Sequence, residues 1–188
     1  MDFFHGREDL EQRCIRCVGA PDRRFGEDAL RILRAVRFAS ELEFELERET
    51  RQGVFRNRML LKEIAAERIA SEMVKIICGP GAKKVFLEYA EVLGVVIPQI
   101  LPMIGFQQQN PHHVYDVLTH SLVVMENLPG NAHMRYAGLL HDVAKPLCFT
   151  VDEKGVGHFY GHPKLGARIA EDILSSLRMD RFTIERAK

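Results

Sequence analysis

Residues 60–77 read LLKEIAAERIASEMVKII, and their spacing indicates the fold class of the chain. Its apolar side chains recur at intervals of three and four residues, which is typical of an α-helix that buries one face. The run 79–81, Gly-Pro-Gly, predicts the end of that helix. We therefore expect an all-α protein. The same spacing predicts further helices, one opening at 26–28 and others at about 82–93, 113–128, 132–144, 163–178 and from 182 onward.

Two stretches interrupt the helical spacing. Residues 41–49 alternate acidic and apolar side chains with a period of two, which formally indicates a strand. An isolated acidic strand would have no partner, so we expect a loop there. Prolines, a glycine and a Gln-rich run at 98–111 break all periodicity, and seven of the eight histidines follow between 112 and 162. We expect a helical part up to about residue 95 and a histidine-rich helical part after it.

Composition restricts the function classes. The chain has 188 residues, 46% hydrophobic and 28% charged, with a formal net charge of zero. These globular values exclude disorder, and neutrality excludes a strongly basic nucleic-acid clamp as a whole-chain property, although not a local basic face. Thirteen arginines but only two lysines precede residue 76. Guanidinium groups suit phosphates and base edges, while ordinary surface placement explains any single arginine equally well.

Targeting signals are not visible in the sequence. The N-terminus is charged, and the longest apolar run, 92–97, is too short to cross a bilayer. The four cysteines show no paired spacing beyond Cys14 and Cys17, so a zinc ribbon is not indicated. We expect a cytoplasmic protein with no membrane partner.

Histidines and aspartates in the second part suggest a metal site. His113, Asp116 and His120 would share one face of the helix predicted at 113–128, and the helix at 132–144 carries the adjacent pair His141 and Asp142. A His-Asp pair among apolar residues is costly to bury without a partner. Imidazole nitrogens and a carboxylate form a ligand set for a divalent metal that leaves positions open for catalysis.

The string Leu139-Leu140-His141-Asp142-x-x-Lys145 resembles the HD superfamily of metal-dependent phosphohydrolases. This resemblance implies His120, His141 and Asp142 as metal ligands. It also implies His162 as a weaker ligand of a second metal, with a helix-entry cap before Pro163 as the alternative. A later aspartate expected in that superfamily has no clear counterpart; the acidic candidates are Asp172 and Asp180.

A second cluster of functional side chains lies at 27–34. Glu27, Asp28, Arg31 and Arg34 are spaced to form ion pairs on a solvated helix, which stabilise by roughly 0.2–0.5 kcal/mol each. The alternative is functional, because a carboxylate beside a guanidinium offers an acceptor and a donor that fit the Watson–Crick edge of cytosine or adenine. The flanking arginines, 24 and 37, would then meet a triphosphate.

This cluster, with the flanking residues 6–39, resembles the tRNA nucleotidyltransferase (CCA-adding enzyme) and bacterial poly(A) polymerase family. The motif Gly6-x-x-Asp9 and the run 24–39 carry the resemblance, and Glu67-Arg68-Ile69 with Glu72 resembles a further neck helix. In that family the Glu-Asp-x-x-Arg-x-x-Arg motif of the neck selects the incoming ATP or CTP. Some bacterial members carry an HD domain after the neck, in the order found here.

The resemblance implies three segments. Residues 1–25 would be the end of a nucleotidyltransferase head, 26–95 a helical neck and 96–188 an HD-type domain incomplete at its C-terminal end. The head's Asp-x-Asp motif, which holds two Mg²⁺ ions, does not occur in the chain. We therefore expect a fragment of a larger enzyme, with no residue of this chain catalytic for nucleotidyl transfer.

The expected function is a share in adding CCA, or C or A alone, to tRNA 3′ ends with CTP and ATP. The HD site would hold Mg²⁺ or a transition metal and act on a phosphate ester such as a 2′,3′-cyclic phosphate. Two alternatives remain: a free-standing HD phosphohydrolase acting on nucleotides or RNA-end phosphates, and a non-catalytic RNA-binding helical module.

Overall fold

The structure, a computed structural model, describes residues 2, 4–108 and 114–188. It is 66% helical and 4% strand, which confirms the all-α prediction. The chain forms two compact units, 1–96 and 97–188, and each is described by itself. In the described part, no helix is both long and apolar enough to cross a membrane.

The first unit consists of short helices connected by tight turns. A 3-10 turn at Arg58–Glu63 precedes α5. The helices and the strands of the first unit are α1 (Gly6–Glu11), β1 (Cys14–Ile15), α2 (Pro21–Glu27), α3 (Leu30–Leu42), β2 (Glu45–Leu46), α4 (Arg48–Asn57), α5 (Ala66–Cys78), α6 (Ala82–Glu88) and α7 (Ala90–Val96).

Packing of α3 against α5 forms the centre of this unit. Both helices bury one apolar face, and the Ser40 hydroxyl donates to the Ile76 carbonyl at 2.7 Å. A β-carbon at Gly79 would lie 2.3 Å from the Ser40 Oγ, so only glycine fits this close approach. The largely buried pair Arg37 Nε–Glu72 Oε2, at 3.1 Å, joins the same two helices.

Three boundaries differ from the sequence predictions. The helix predicted to open at 26–28 is instead a break, because Asp28 is extended and its carboxylate accepts from the Leu30 N–H at 3.2 Å, next to the start of α3. The helix predicted at 60–77 starts as the 3-10 turn and continues as α5 only from Ala66. The helix predicted at 82–93 is divided into α6 and α7 at Tyr89.

The loop predicted at 41–49 contains a short strand. Strand β2 pairs in parallel with β1, with Cys14 opposite Glu45 and Ile15 opposite Leu46. The prediction failed because the partner lies about thirty residues earlier in the chain, where the sequence gives no strand pattern.

The second unit contains the histidine-rich segment. It includes 3-10 turns at Pro98–Met103 and Lys145–Leu147. Its helices and strands are α8 (Val117–Glu126), α9 (Ala132–Leu140), β3 (Thr150–Val151), β4 (Gly157–His158), α10 (His162–Ser176) and α11 (Arg181–Ala187).

Helices α8 and α9 approach each other closely at Gly138, where a β-carbon would lie 2.6 Å from the Met125 Cα. The helix predicted at 113–128 begins only at Val117. Asp116 is its N-cap and accepts from the Thr119 N–H at 2.6 Å. The prediction that Asp116 shares a helical face with His120 is therefore wrong, and His113 lies outside the described residues.

Candidate functional sites

A cluster of histidines surrounds one buried aspartate in the second unit. His120 lies on α8, His141 and Asp142 directly follow α9, and His162 begins α10. Ligand atoms of the first three residues lie within 4.8 Å of one another. The structure thus brings together the residues that the His-Asp motif singled out, from three separate helices.

The Asp142 carboxylate is the centre of this cluster. Its Oδ2 lies 3.1 Å from the His141 Nε2 and 3.6 Å from the His120 Nε2. Its Oδ1 lies 3.6 Å from the His162 Nε2. The side chain of Asp142 is only 5% exposed, whereas each imidazole is about a third exposed, so solvent reaches the rings rather than the carboxylate.

Two of the rings are held by the backbone. The His141 Nδ1 lies 2.9 Å from the Gly138 carbonyl, and the His162 Nδ1 lies 2.7 Å from the Phe159 carbonyl. A carbonyl only accepts, so each Nδ1 carries the hydrogen and each ring turns its Nε2 towards Asp142, where it donates to the carboxylate when the ring is protonated and can ligate a metal when the ring is neutral. Hydrogen bonds from the distal ring nitrogen to a backbone carbonyl orient metal-binding histidines.

Lys145 brings a positive charge to the same carboxylate. Its Nζ lies 2.8 Å from the Asp142 Oδ2 and donates to the Gln108 Oε1 at 2.7 Å. The ammonium also lies 5.3 Å from the centre of the Phe159 ring. Lys145 is 7% exposed, so the cluster contains a nearly buried cation that neutralises Asp142.

The electrostatics favour the ionised carboxylate. Burial alone would raise the pKa of Asp142, but hydrogen bonds from His141 and Lys145 hold it well below its usual range. Burial would lower the pKa of His141, yet the Asp142 hydrogen bond and charge outweigh burial and raise it.

The aspartate candidates for a further ligand are placed elsewhere. Asp180 is the N-cap of α11 and accepts from the Thr183 N–H at 2.9 Å and the Thr183 hydroxyl at 2.6 Å. Asp172 is exposed on α10. Neither joins the His120, His141 and Asp142 group in the part of the chain that the structure describes.

The second candidate site lies in the first unit, where α2 ends and α3 begins. The Glu27 carboxylate accepts hydrogen bonds from Arg24 Nη1 at 2.5 Å, Arg31 Nη1 at 2.8 Å and Arg23 Nε at 3.2 Å. The hydrogen bond from Arg31 leads the causes that hold the pKa of Glu27 below its usual value. The same Arg31 Nη1 also donates to the Arg24 carbonyl at 2.9 Å, so one nitrogen of its guanidinium is held by two acceptors.

Asp28 has a different partner from the one expected. Its Oδ2 lies 3.2 Å from the Arg68 Nη2 on α5, while the Arg31 side chain pairs with Glu27. Arg31 and Asp28 remain adjacent, since the Arg31 N–H donates to the Asp28 carbonyl at 3.1 Å. The sequence spacing did not reveal Arg68 as a partner, because it lies forty residues further along the chain.

Four arginines line one cavity beside this cluster. They are Arg16, Arg24, Arg31 and Arg34, and the cavity of about 390 Å³ is completed by Ile15, Cys17, Val18, Phe25, Ala35, Phe38 and Thr50. Arg34 is exposed, and among the described residues it has no ion-pair partner. Arg37, predicted to flank a triphosphate, instead pairs with Glu72 and stacks on Phe38, with its guanidinium 4.2 Å from the ring centre.

Comparisons with known proteins match the whole chain to one group of enzymes. A family model described as "Probable RNA and SrmB- binding site of polymerase A" matches residues 43–102. An A-adding tRNA nucleotidyltransferase of Deinococcus radiodurans is 32% identical over 203 aligned residues, which cover 100% of this chain and 45% of that protein. A CCA-adding enzyme of Lactobacillus helveticus is 51% identical over 86 residues, or 46% of this chain and 22% of the enzyme.

The fold has a counterpart among solved structures. The crystal structure of the Bacillus stearothermophilus CCA-adding enzyme in complex with CTP superposes with a TM-score of 0.62 and 28% identity, covering 100% of this chain and 39% of that one. The fold is therefore that of a helical segment of CCA-adding enzymes. The chain belongs to the tRNA nucleotidyltransferase family, which confirms the resemblance carried by residues 6–39. It spans less than half the length of these relatives.

Proposed function

We propose that this chain is the nucleotide-selecting and tRNA-binding part of a tRNA nucleotidyltransferase that adds CCA, or C or A alone, with CTP and ATP. The observation that carries the proposal is the convergence of Arg24, Arg31 and Arg34 on one cavity beside Glu27 and Asp28. A relative that spans the whole chain is an A-adding tRNA nucleotidyltransferase, which supports the same reading.

Each side chain of the cluster has a distinct role in this proposal. Arg31 donates to the base, and Asp28 supplies the adjoining acceptor, so that the pair matches the edge of cytosine or adenine. Glu27 holds the Arg31 guanidinium at 2.8 Å and so fixes the direction of its remaining donors. Arg34, exposed and unpaired among the described residues, contacts phosphate oxygens.

Nucleotidyl transfer itself requires carboxylates that hold Mg²⁺, and the chain contains no Asp-x-Asp motif. Its contribution is therefore to bind and orient the nucleotide and the RNA. In the full-length product of the gene that encodes this chain, we expect incorporation of C, of A or of both into tRNA that lacks its 3′ CCA.

The test is that incorporation assay with each of the four nucleoside triphosphates in turn. Incorporation confined to CTP and ATP supports the proposal. Incorporation of all four at similar rates, or none at all, contradicts it. If the protein binds tRNA but incorporates nothing, the RNA-binding helical module becomes the better account.

A second candidate function, metal-dependent phosphohydrolysis, rests on the anchored rings of His141 and His162. Both direct an Nε2 towards Asp142, and with His120 they form a donor set that fits a divalent transition metal or Mg²⁺. Lys145 competes with a metal for the Asp142 Oδ2 rather than for the imidazole nitrogens of His141 and His162. When bound, such a metal supplies Lewis-acid chemistry towards a phosphate ester.

In this candidate function the protein residues position the metal and screen it. Backbone carbonyls keep His141 and His162 in the ligating tautomer, and burial keeps the Asp142 carboxylate away from solvent. The His141→Ala plus Asp142→Ala double variant should lose binding of Mn²⁺ or Zn²⁺ in calorimetric titration while its helical circular dichroism persists. His133→Ala is the matched control. Unchanged metal stoichiometry in a folded double variant would exclude this site.

A further inference from the structure

Gln108 is a buried amide to which neither proposed function gives a role. It belongs to the Gln-rich run that interrupts the helical spacing, yet it is only 2% exposed, whereas the adjacent Gln107 is exposed. A buried amide has to find hydrogen-bond partners inside the protein. The partner of the Gln108 Oε1 is the Lys145 ammonium, 2.7 Å away, in the cluster of histidines around Asp142.

The Gln108 amide is held in one orientation. Its Nε2 donates to the Tyr115 carbonyl at 3.4 Å, so its Oε1 is the atom that is turned towards the Lys145 Nζ. Its backbone is held as well, because Gly157 packs against the Gln108 carbonyl so closely that a β-carbon there would lie 2.5 Å from this oxygen. The position of the Gln108 Oε1 is therefore set by contacts other than the one with the ammonium.

The Lys145 ammonium is shared between two acceptors of different charge. Its Nζ lies 2.8 Å from the Asp142 Oδ2 and 2.7 Å from the Gln108 Oε1, and these are the oxygen acceptors that the described residues give it. The Nζ also lies 5.3 Å from the centre of the Phe159 ring. Because Lys145 is nearly buried, solvent does not readily replace either oxygen.

Binding of a divalent metal to the Asp142 carboxylate would change this balance. In the metal-free protein the charges of Asp142 and Lys145 cancel. With a metal on the carboxylate, the ammonium would face a like charge and lose its charged acceptor. A buried ammonium without any acceptor is costly. Gln108 supplies an uncharged acceptor, which leaves the ion pair with Asp142 intact in the metal-free protein and still accepts a hydrogen bond once that pair is broken.

We propose that Gln108 is a positioning residue that retains the Lys145 ammonium when a divalent metal takes the Asp142 carboxylate. Gln108 does not contact the metal in this role. It sets the metal affinity by lowering the cost of displacing Lys145 from Asp142. The proposal rests on the second candidate function in taking a divalent metal as the ligand of the cluster, and it adds a residue that controls how readily the metal binds.

The test is calorimetric titration of Mn²⁺ into Gln108→Met, alone and combined with Lys145→Met. Methionine keeps the length of the side chain and removes the acceptor. With Lys145 present, we expect Gln108→Met to weaken Mn²⁺ binding at least tenfold. In the Lys145→Met background no ammonium needs an acceptor, so the same substitution should change the affinity by less than twofold. Equal weakening in both backgrounds would show a structural effect and overturn the proposal.

Two further variants make the test specific. Gln108→Glu keeps an acceptor at the same place and should bind Mn²⁺ at least as tightly as the parent chain; binding as weak as that of Gln108→Met would contradict the proposal. Gln107→Met makes the same chemical change at the adjacent exposed glutamine and, as the matched control, should stay within twofold of the parent.

The outcomes separate this inference from the function on which it rests. A folded Gln108→Met variant that binds Mn²⁺ as tightly as the parent chain overturns the role of Gln108 alone. A parent chain that binds Mn²⁺ but hydrolyses no phosphate ester overturns the second candidate function and leaves the role of Gln108 standing, because the readout is binding. A parent chain that binds no Mn²⁺ overturns both.

Discussion

Replacing Lys145 with methionine tests whether the buried ammonium of the His-Asp cluster weakens the binding of a metal there. The Lys145 Nζ lies 2.8 Å from the Asp142 Oδ2 and 2.7 Å from the Gln108 Oε1. Methionine keeps the length and most of the apolar stem but removes the charge. The substitution therefore leaves Asp142 ionised, 5% exposed and without its nearest positive partner.

The magnitudes follow from this geometry. Removing one partner of a buried ion pair costs about 3–5 kcal/mol, so the metal-free variant should unfold at a distinctly lower temperature. Two unit charges 4 Å apart interact by about 4 kcal/mol at an effective dielectric constant of 20. Because removing the ammonium removes a repulsion of this order, affinity for a divalent metal should rise at least tenfold, or about 1.4 kcal/mol.

The assay combines thermal unfolding with calorimetric titration of Mn²⁺. Lys145→Met should unfold earlier than the parent chain without metal, regain much of the loss with metal, and bind Mn²⁺ more tightly. Lys154→Met, at an exposed lysine between β3 and β4, is the control and should change neither quantity. A folded Lys145→Met protein that binds Mn²⁺ no better than the parent would refute the reasoning.

Three further predictions concern stability and activity. Glu47→Gln should cost about 1 kcal/mol of unfolding free energy at pH 7. Burial would raise the pKa of Glu47, but hydrogen bonds from the Glu49 and Thr50 N–H groups outweigh burial and lower this pKa from 4.5. The stabilisation by Glu47 is therefore present above pH 4.5 and is lost as pH falls through the depressed pKa, which urea unfolding at several pH values will show. Gly79→Ala should lower the free energy of unfolding by about 1–3 kcal/mol, because the new β-carbon would lie 2.3 Å from the Ser40 Oγ. Gly26→Ala is the control, since a β-carbon there has no neighbour within 4 Å. Equal melting temperatures for the two variants would contradict this packing. The 188-residue chain alone, given tRNA, CTP, ATP and Mg²⁺, should add no nucleotide, since it contains no Asp-x-Asp; extension resolved on a sequencing gel would contradict this.

The sequence predicted the helices well because their apolar spacing is local. The helices predicted at 132–144, 163–178 and from 182 onward are present, with ends that differ from the prediction by one to four residues. The break at Asp28 was missed because its cause is a side chain that accepts from the Leu30 backbone in place of a helical hydrogen bond. Strand β2 was missed because pairing with Cys14–Ile15 is a tertiary event.

The sequence predicted which residues belong to the candidate sites but not which residues contact them. The motif singled out His120, His141 and Asp142, and the structure places their ligand atoms together; their role as metal ligands stays a prediction. The contact between Lys145 and Gln108 joins residues 37 positions apart, and Gln108 belongs to a run that the sequence marks only as a boundary. Likewise, helical spacing suggested that Asp28 acts with Arg31, whereas packing against α5 gives it Arg68.

The most direct test of the central claim is base selectivity in the Arg31→Gln variant of the full-length gene product. The measurement is the ratio of CTP plus ATP incorporation to UTP plus GTP incorporation into tRNA that lacks its 3′ CCA. Arg23→Gln, which removes a guanidinium from the same Glu27 carboxylate but lies outside the cavity lining, is the matched control. The account predicts that the ratio falls at least tenfold in Arg31→Gln and stays within twofold in Arg23→Gln. An unchanged ratio in an active Arg31→Gln protein would contradict it.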